Sequence, residues 1–541
     1  MTGPVRAERP APGREAEAAA LLGWLTDPDA PRLCLVTGGP GRGKSALLAW
    51  LAAHGTRSGA ARRRRAAREL VSLAGQSVLG TAWTIANRLG VVARTPGELV
   101  QVLATTDVRR AALLLTDLHA ADEPDALAEL LAEMAALGRV RLLVETAAGS
   151  SAHTRLAAGG RATVVDLGED DPPTLSDPAA PPAVSPGPAA VAGRRPPRID
   201  ADDPRAVCAA DPAQVTRAYL AEPDDDRGGL RSAWLRAGQS LSRDQAPSGR
   251  ALVLLAALGD GADPRLRPAL TELAGRAAWR VRWTRVRGDV TPPWPGPVTV
   301  LGAVGERLLV AGPAGAVRLL DARDAHPGGR LDAGPASRVK ALAPAADGTV
   351  LLLDERGRLH TVRGKAPRPP YLERLTQAVT ATLTRHPGTA LAVIGGSVVV
   401  GDRLGSVHAF GLTGIHQAAL HSGRVAAVTA VETETPFVCS GGTDGTVRLW
   451  TPGKDAAPHP APLVERAAPV VTLHAAETPR GPVLAVAWAD GLVELRHLDT
   501  GALHRFRPGP PVRAVVVTPD GGVVVGMDET LVRLEPHGGA R

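Results

Sequence analysis

The stretch "LCLVTGGPGRGKSALLAWLA", Leu33 to Ala52, decides the fold of the first part of the chain. A run of leucine and valine ends at a glycine-rich segment, and a helical apolar periodicity starts at Lys44 and Ser45. We therefore predict a strand, a tight loop and a helix in direct succession. The segment "GGPGRGKS" matches the pattern G-x-x-x-x-G-K-[ST], in which backbone amides surround a phosphate group.

The residue types in this loop predict a nucleotide site. Glycines let backbone N–H groups approach a β-phosphate, and the amino end of the following helix adds partial positive charge. Lys44 would bind the β- and γ-phosphate oxygens, and Ser45 would ligate Mg²⁺. Only four of the 62 basic residues are lysine, which favours a specific role for Lys44. The sequence therefore predicts that ATP or ADP binds with Mg²⁺ at Gly38, Gly39, Pro40, Gly41, Arg42, Gly43, Lys44 and Ser45.

A second motif lies in "AALLLTDLHAADEP", residues 111–124. Its apolar run ends at Asp117, the position at which a P-loop enzyme holds magnesium through a water molecule. Asp117 is therefore predicted to be the second metal residue beside Ser45. The alternative is an ordinary carboxylate at the end of a strand.

Composition limits the classes of function. The 541 residues carry a formal net charge of +7 and are 44% hydrophobic, which predicts a folded chain of several domains. Aromatic residues make up 3%, too few for the stacking that single-stranded nucleic acid requires, so no nucleic-acid partner is expected. The longest uncharged apolar run, 389–401, is shorter than the ~20 residues that span a bilayer, and a cytoplasmic protein without membrane contact is expected. Cys34 and Cys439 lie in apolar strands and are expected to be buried thiols.

The chain divides into parts with different periodicity. Residues 12–168 alternate strand and helix patterns, which predicts an α/β domain with a parallel sheet. A linker rich in proline and alanine follows at 169–198, and helical patterns predict a small helical domain at 199–276. The arginine run at 62–65 is interpreted as a solvated loop or helix face, with contact to a polyanion or an acidic partner as the alternative. Strands of the α/β domain are predicted at 33–37, 111–116, 139–146 and 162–167.

From residue 279 onward the apolar period is two, and a unit of strand, Gly- and Asp-rich turn, and strand recurs. The spacing of the copies, about 30–45 residues, is typical of the blades of a β-propeller. We predict an all-β propeller over 279–541 with six blades, in which the strand at 279–286 completes the last blade; seven blades are the alternative. The six copies lie at 305–322, 347–362, 395–410, 435–450, 480–498 and 520–536.

One copy resembles a WD-repeat blade. It reads "HSGRVAAVTAV" from residue 421 and "FVCSGGTDGTVRLW" up to residue 450. The resemblance implies that His421, Ser440, Asp444 and Trp450 form the structural hydrogen-bonded brace of that family. Most other copies lack the His and the Trp, so we predict a diverged propeller.

Residues 12–170 resemble the STAND family of signal-transduction P-loop NTPases, relatives of the AAA+ proteins and of the NACHT and NB-ARC switches. The resemblance is carried by "GREAEAAALLGWL", the glycine-rich loop, "TAWTIANRLG", "DLHAADEP" and "VRLLVET". A module of this family followed by a WD-type propeller is a common bacterial architecture. It implies a slow switch, closed with ADP and open with ATP, which is restrained by repeats that sense a ligand.

The resemblance also implies catalytic carboxylates. The family pattern D-x-x-D-E would begin at Asp117, but Ala120 and Ala121 occupy the expected positions, and the acids are displaced to Asp122 and Glu123. We take Asp117, Asp122 and Glu123 as the candidate catalytic residues.

Two further departures concern single positions. An alternative register, similar to D-D-x-H-x-A-D-E, places Thr116 where the magnesium aspartate belongs, and Ala147 stands where the family often has arginine. Groups that orient water or sense a γ-phosphate are therefore missing, which predicts nucleotide binding with slow or absent hydrolysis.

Three functions are consistent with these features. The leading hypothesis is a nucleotide-dependent regulatory switch whose propeller binds a protein partner, with nucleotide-dependent homo-oligomerisation as one output. The first alternative is a propeller scaffold with a degenerate NTPase domain. The second alternative is a P-loop transcription regulator, but the sequence offers no helix-turn-helix-like terminal segment to read DNA.

Overall fold

The structure is a computed structural model that describes residues 10–54, 68–106, 111–168, 199–287, 298–331, 338–345, 348–362, 370–384, 386–411, 414–453 and 459–537. These residues form two compact units. The first comprises the described residues within 1–89, 95–201 and 210–221, and the second those within 90–94, 202–209 and 222–541. The predicted linker at 169–198 and the arginine run at 62–65 lie outside the described residues.

The first unit alternates helices and strands. Its elements are α1 (Glu15–Thr26), β1 (Leu33–Thr37), α2 (Lys44–His54), β2 (Arg68–Ser72), α3 (Val78–Leu89), α4 (Pro96–Thr105), β3 (Ala112–Thr116), α5 (Pro124–Ala136), β4 (Arg141–Glu145), α6 (Ser151–Ala158) and β5 (Ala162–Asp166). The strands form a parallel sheet in the order β2-β3-β4-β1-β5. Because neighbours are parallel, all five carboxyl ends lie along one edge of the sheet.

The core of this unit lies between the sheet and its helices. All residues of β1 and β3 are buried, as expected for strands with neighbours on both sides in a parallel sheet. Leu21 and Trp24 of α1 pack with Leu48 of α2 and Val36 of β1 in one apolar cluster. The indole N–H of Trp24 donates to the carbonyl of Pro31 at 2.8 Å, so its polar atom is satisfied.

The predicted α/β architecture of this region is confirmed. Each of the four predicted strands is present, with ends that differ by no more than two residues from those observed. Strand β2 was not predicted, because its sequence "RELVS" begins with two charged residues and the strand lies at the edge of the sheet.

The helical periodicity predicted over 199–276 corresponds to five helices among the described residues. They are α7 (Pro204–Ala209), α8 (Pro212–Ala221), α9 (Leu230–Leu241), α10 (Pro247–Ala257) and α11 (Leu266–Leu273). The structure divides them, because α8 belongs to the first unit and the other four to the second. Helix α10 is the central one: residues 251–257 are all buried, since α7, α9 and α11 surround it.

The second unit contains the strands of the repeat region and one further helix. They are β6 (Trp279–Val286), β7 (Val300–Val304), β8 (Arg307–Ala311), β9 (Val317–Asp321), β10 (Pro327–Leu331), β11 (Val339–Pro344), β12 (Val350–Asp354), β13 (Leu359–Val362), α12 (Pro370–Leu383), β14 (Ala390–Ile394), β15 (Ser397–Gly401), β16 (Ser406–Gly411), β17 (Gly414–Ala419), β18 (Val425–Val431), β19 (Phe437–Gly442), β20 (Thr446–Trp450), β21 (Val464–Glu465), β22 (Val470–Thr478), β23 (Gly481–Trp488), β24 (Val493–His497), β25 (Leu503–Phe506), β26 (Val512–Val517), β27 (Val523–Met527) and β28 (Thr530–Pro536).

These strands form six antiparallel sheets, the blades of a β-propeller. Blade 1 is β7–β10, blade 2 is β11–β13, blade 3 is β14–β17, blade 4 is β18–β21, blade 5 is β22–β25, and blade 6 is β26–β28 with β6. Each of the six sequence copies supplies the middle two strands of one blade or, in blade 2, the last two. The prediction of six blades is confirmed.

The ring is closed by the strand that comes first in the repeat region. Strand β6 pairs antiparallel with β28, so blade 6 combines the earliest strand with the last three, as predicted. Trp283 of β6 packs in an apolar cluster with Leu308 of blade 1 and Val516 of blade 6, and its indole N–H donates to the carbonyl of Ala322 at 3.0 Å. The closing strand therefore joins blade 6 to blade 1 through packing as well as through backbone pairing.

Helix α12 corrects the prediction of an all-β region. Leu375, Val379 and Leu383 recur at a spacing of four and form one apolar stripe along the helix. The stripe packs in a cluster with Leu353 of blade 2 and Val400 of blade 3. The helix follows blade 2, which has three strands in the part of the chain that the structure describes.

The burial of the cysteine side chains determines their reactivity. Cys34, Cys208 and Cys439 are buried free thiols, as predicted for Cys34 and Cys439, and burial raises the pKa of each to about 12. They are therefore unreactive thiols at neutral pH.

In the described ranges, every helix is too short or too polar to cross a bilayer.

His474 makes the propeller sensitive to mild acid. Its Nδ1 accepts a hydrogen bond from the amide of Val517 at 3.2 Å, which links blade 5 to blade 6. Burial lowers the pKa of His474 from 6.5 to about 4. The unfolded chain therefore binds more protons than the folded one between pH 6.5 and pH 4, so the stabilisation is complete above pH 6.5 and is lost as the pH falls toward 4.

We expect the free energy of unfolding of the propeller to fall by about 2 kcal/mol from His474 alone between pH 7.5 and pH 5. H474Q keeps an acceptor for the Val517 amide but does not titrate, so it should lose about that much of the pH dependence. Urea unfolding at both pH values, with hydrogen exchange of β22 and β26, measures the effect. An equal pH dependence in the variant contradicts this assignment.

Candidate functional site

The glycine-rich loop joins β1 to α2 at the carboxyl edge of the parallel sheet. Gly43 has φ +79°, and a Cβ on Gly38, which has φ +136°, would lie 3.0 Å from Cβ of Leu167, so both positions require glycine. Lys44 is the first residue of α2 and is only 8% exposed. Its Nζ donates to the carbonyls of Gly38 and Gly39, both at 2.9 Å, which holds the ammonium group inside the loop.

Ser45 is held by a carboxylate at the end of the neighbouring strand. Its Oγ donates to Oε1 of Glu145 at 3.1 Å. Glu145 is the last residue of β4, which pairs with β1, and it is 3% exposed. Its second oxygen, Oε2, is buried and has no hydrogen-bond partner among the described residues.

Asp117 lies directly after β3, the strand on the other side of β4. It adopts a left-handed conformation, with φ 61° and ψ 36°, and a short turn at Leu118–Ala120 follows. Burial raises the pKa of the Glu145 carboxyl above 4.5, and the negative charge of Asp117 adds to this rise. The hydrogen bond from Ser45 and the charges of Lys44 and His119 oppose it.

These residues form a candidate phosphate and metal site, which we call the carboxyl-edge cluster: Lys44, Ser45, Asp117 and Glu145. An ammonium group and a helix amino end suit phosphate oxygens, and hydroxyl and carboxylate oxygens suit Mg²⁺. Within the described ranges, no three His, Cys, Asp or Glu residues converge as a metal site on their own. A metal at the cluster would therefore take its remaining ligands from phosphate groups and water.

Glu145 was not identified from the sequence. The rule that selected Asp117, an acidic residue at the carboxyl end of an apolar strand, applies equally to the predicted strand at 139–146. What the sequence did not indicate is the sheet order, which places β4 directly beside β1.

Asp122 and Glu123 are engaged in contacts within the first unit. Nε of Arg217, on α8, donates to Oδ2 of Asp122 at 2.7 Å. Oε2 of Glu123 accepts from the amide of Val78, the first residue of α3, at 3.1 Å. Asp122 thus holds helix α8, and Glu123 the amino end of α3, to the segment after β3. The catalytic role of both carboxylates stays a prediction.

The brace implied for blade 4 is present for three of its four residues. Nε2 of His421 bonds Oγ of Ser440 at 2.9 Å, and Nδ1 lies 3.2 Å from Oδ1 of Asp444. Asp444 also accepts the amide of Ser422 at 3.0 Å. Trp450 is buried in the apolar cluster of blades 3 and 4. These contacts tie the start of the blade to its central turn, which is a structural role.

Blades 2 and 3 have a brace of a different kind. In each, an aspartate begins a tight turn and binds the Nε2 of a histidine six residues later: Asp354 with His360 and Asp402 with His408, both at 3.0 Å. Burial raises the pKa of Asp402, but bonds from His408 and from backbone amides outweigh it and hold the pKa below 3.8. Blades 2 and 3 thus use a histidine on the strand after the turn, whereas the histidine of blade 4 lies before the first strand of its blade.

A cavity of about 690 Å³ lies within the second unit between the α9–α10 turn and blades 4 and 5. Buried Glu494 accepts from Arg496 at 3.3 Å and from Arg505 at 3.1 Å, while Arg466 and Arg507 both bind Asp490. The chain's own carboxylates already pair with these four arginines. The charges of the cavity lining therefore do not by themselves indicate a ligand. Its charged lining residues are Arg243, Asp244, Glu465, Arg466, Glu494, Arg496, Arg505 and Arg507.

Comparison with known proteins extends only to the fold. No protein-family model matches the chain, and no curated protein sequence does. The WD40 β-propeller domain of Doa1 is similar in structure, with a TM-score of 0.34 and 14% identity over 48% of this chain and 98% of that one. The computationally designed protein Ika8 is similar with a TM-score of 0.29 and 20% identity over 44% of this chain and 71% of that one. The six sheets described above, rather than these values, establish the propeller.

Proposed function

We propose that this protein is a nucleotide-dependent regulatory switch whose propeller binds a protein partner. The observation that carries the proposal is the carboxyl-edge cluster. Lys44 and Ser45 begin α2 directly after the glycine-rich loop, and Asp117 and Glu145 stand at the ends of the two nearest strands on one side. In an α/β sheet, the carboxyl ends of the strands are where ligands bind.

The residues present fit a nucleoside di- or triphosphate with magnesium. Lys44 and the loop amides would hold the phosphates, and Ser45 with Asp117 would hold the metal. The metal would neutralise phosphate charge. The rims and loops of the propeller would bind the protein partner. Such binding sites vary independently of the fold that carries them.

Hydrolysis at this site is proposed to be slow. Ala120, Ala121 and Ala147 stand where the resembled family has groups that orient water or sense the γ-phosphate. Asp122 and Glu123 are bound to Arg217 and to the start of α3. We expect a turnover below about 1 s⁻¹, the low end of ordinary enzymes.

The test is to purify the full chain, denature it and identify any released nucleotide. ADP or ATP in a ratio close to one per chain supports the proposal. A protein that releases none and does not bind added ATP or ADP contradicts it. In that case the scaffold function, carried by the propeller alone, replaces the switch.

The scaffold alternative has its own supporting observation. Blades 2, 3 and 4 each carry a histidine–aspartate brace, so the ring is stabilised without any contribution from the carboxyl-edge cluster. Analytical ultracentrifugation with ADP and with a non-hydrolysable ATP analogue separates the two. A switch changes its assembly or partner binding with the nucleotide, whereas a scaffold does not.

A further inference from the structure

We propose that Glu145 completes the magnesium site of the carboxyl-edge cluster by orienting Ser45 and adding a second carboxylate beside Asp117. The inference rests on the proposed function, because it concerns the metal that accompanies a bound nucleotide. It makes Glu145 a positioning residue for Ser45 and a second source of negative charge near the cation.

The hydroxyl of Ser45 carries the first argument. A serine hydroxyl has one proton to donate and two lone pairs that accept. The proton of Ser45 is directed to Oε1 of Glu145 at 3.1 Å, which leaves the lone pairs of Oγ for another partner. A hydroxyl oxygen held in this way is oriented as a ligand for a hard cation.

The second argument is the free oxygen of Glu145. Oε2 is buried without a hydrogen-bond partner in the described part of the chain, in a residue that is 3% exposed. A buried carboxylate oxygen without a partner is destabilising, and a cation close to it removes that cost. Asp117 is near enough for its charge to act on Glu145, so a divalent cation there would neutralise two carboxylates.

Glu145 also supplies a carboxylate that the segment directly after Asp117 does not. Ala120 and Ala121 provide no carboxylate near Asp117, and Asp122 and Glu123 bind Arg217 and the amide of Val78. Glu145 comes from β4 instead, and β4 lies between β1 and β3. The sheet order thus brings a carboxylate from a different strand to the same edge.

The test measures how strongly Mg²⁺ tightens the binding of ADP, with the full chain and a calorimeter. The Kd for ADP is determined in excess Mg²⁺ and in EDTA for the wild type, E145Q and E133Q. Glutamine keeps the shape of Glu145 and an acceptor for Ser45 but removes the charge. Glu133 is exposed on α5, so E133Q is the matched control for loss of one carboxylate in the same unit.

We expect E145Q, which keeps the acceptor for Ser45 but removes the charge near Asp117, to lose about tenfold or more of the tightening by Mg²⁺, with its Kd in EDTA unchanged or lower; tenfold is the low end of the loss typical for residues that support metal ligands. E133Q should match the wild type. D117N provides a second variant, and a partial loss there as well shows that both carboxylates contribute.

Two results overturn the inference, and they are distinguishable. Equal tightening by Mg²⁺ in E145Q and the wild type refutes the role of Glu145 but leaves the nucleotide switch intact. Absence of ADP binding by the wild type refutes both. Thermal unfolding of E145Q without nucleotide is the folding check, and removal of a buried charge should leave its melting temperature equal to or above that of the wild type.

Discussion

Replacement of Lys44 with alanine is expected to weaken the binding of ATP and ADP at least about 100-fold. A hydrogen bond to a charged group contributes about 1.5–3 kcal/mol, and an ammonium group between β- and γ-phosphates makes more than one. Lys44 is the first residue of α2 and its ammonium already lies inside the loop, close to the carbonyls of Gly38 and Gly39. Titration calorimetry with each nucleotide measures the change.

The matched control is R161A. Arg161 is exposed and precedes β5, so it lies at the amino edge of the sheet, opposite the carboxyl-edge cluster. Like K44A, the variant R161A removes one positive charge from the first unit, and its affinity for nucleotide should equal that of the wild type. Similar affinities of K44A and R161A would mean that the loop does not hold phosphate. Circular dichroism of both variants establishes that the fold is kept.

Truncation of Trp283 to alanine is expected to destabilise the propeller by about 3–5 kcal/mol. Trp283 is 6% exposed on the closing strand β6, and it fills the space between blade 6 and blade 1. Its loss leaves a cavity between blade 6 and blade 1, next to the sheet in which the first strand of the ring joins the last three. The hydrogen bond from its indole N–H to Ala322 is lost as well.

W283F separates the two contributions. Phenylalanine keeps most of the volume but has no N–H. Arg533 still donates to the carbonyl of Ala322 at 2.7 Å, so the loss of the bond from Trp283 should cost only about 0.5–1.5 kcal/mol. Urea unfolding of the wild type and both variants gives the free energies. A loss below about 1 kcal/mol in W283A would show that the junction does not depend on this side chain.

The sequence predicts the fold well where the hydrophobic pattern of a segment is typical of the element that the segment forms. The run "LCLVT" before the glycines is β1 to the residue, because a central strand in a parallel sheet is apolar throughout. The period of two in the repeat region predicts six blades, because each copy contains a complete hairpin. Helix α12 was missed because its apolar residues, four apart, lie between strong strand patterns.

The candidate site was predicted in part, because its residues come from separate strands. Motif spacing indicates Lys44 and Ser45, which are adjacent in the chain, and the end of an apolar run indicates Asp117. Glu145 lies 100 residues from Ser45, and only the order of the strands makes them neighbours. The contact of Asp122 with Arg217 was equally hidden, since α8 follows the predicted linker.

The pairing of β6 with β28 also has a consequence for how the protein is made. The ribosome synthesises β6 at Trp279 before the other strands that the structure describes, and it finishes the partner strand β28 at Pro536, after the rest of them. Throughout that interval β6 has no partner among the described strands, and an unpaired strand edge is a template for aggregation. Helices α10 and α11 are made before β6, and α10 packs against β6 in the folded unit, so a helix is available to contact this strand while it waits. Completion of the ring is therefore a late, long-range event, and a nascent chain that stops within the last blade leaves its first strand without a partner.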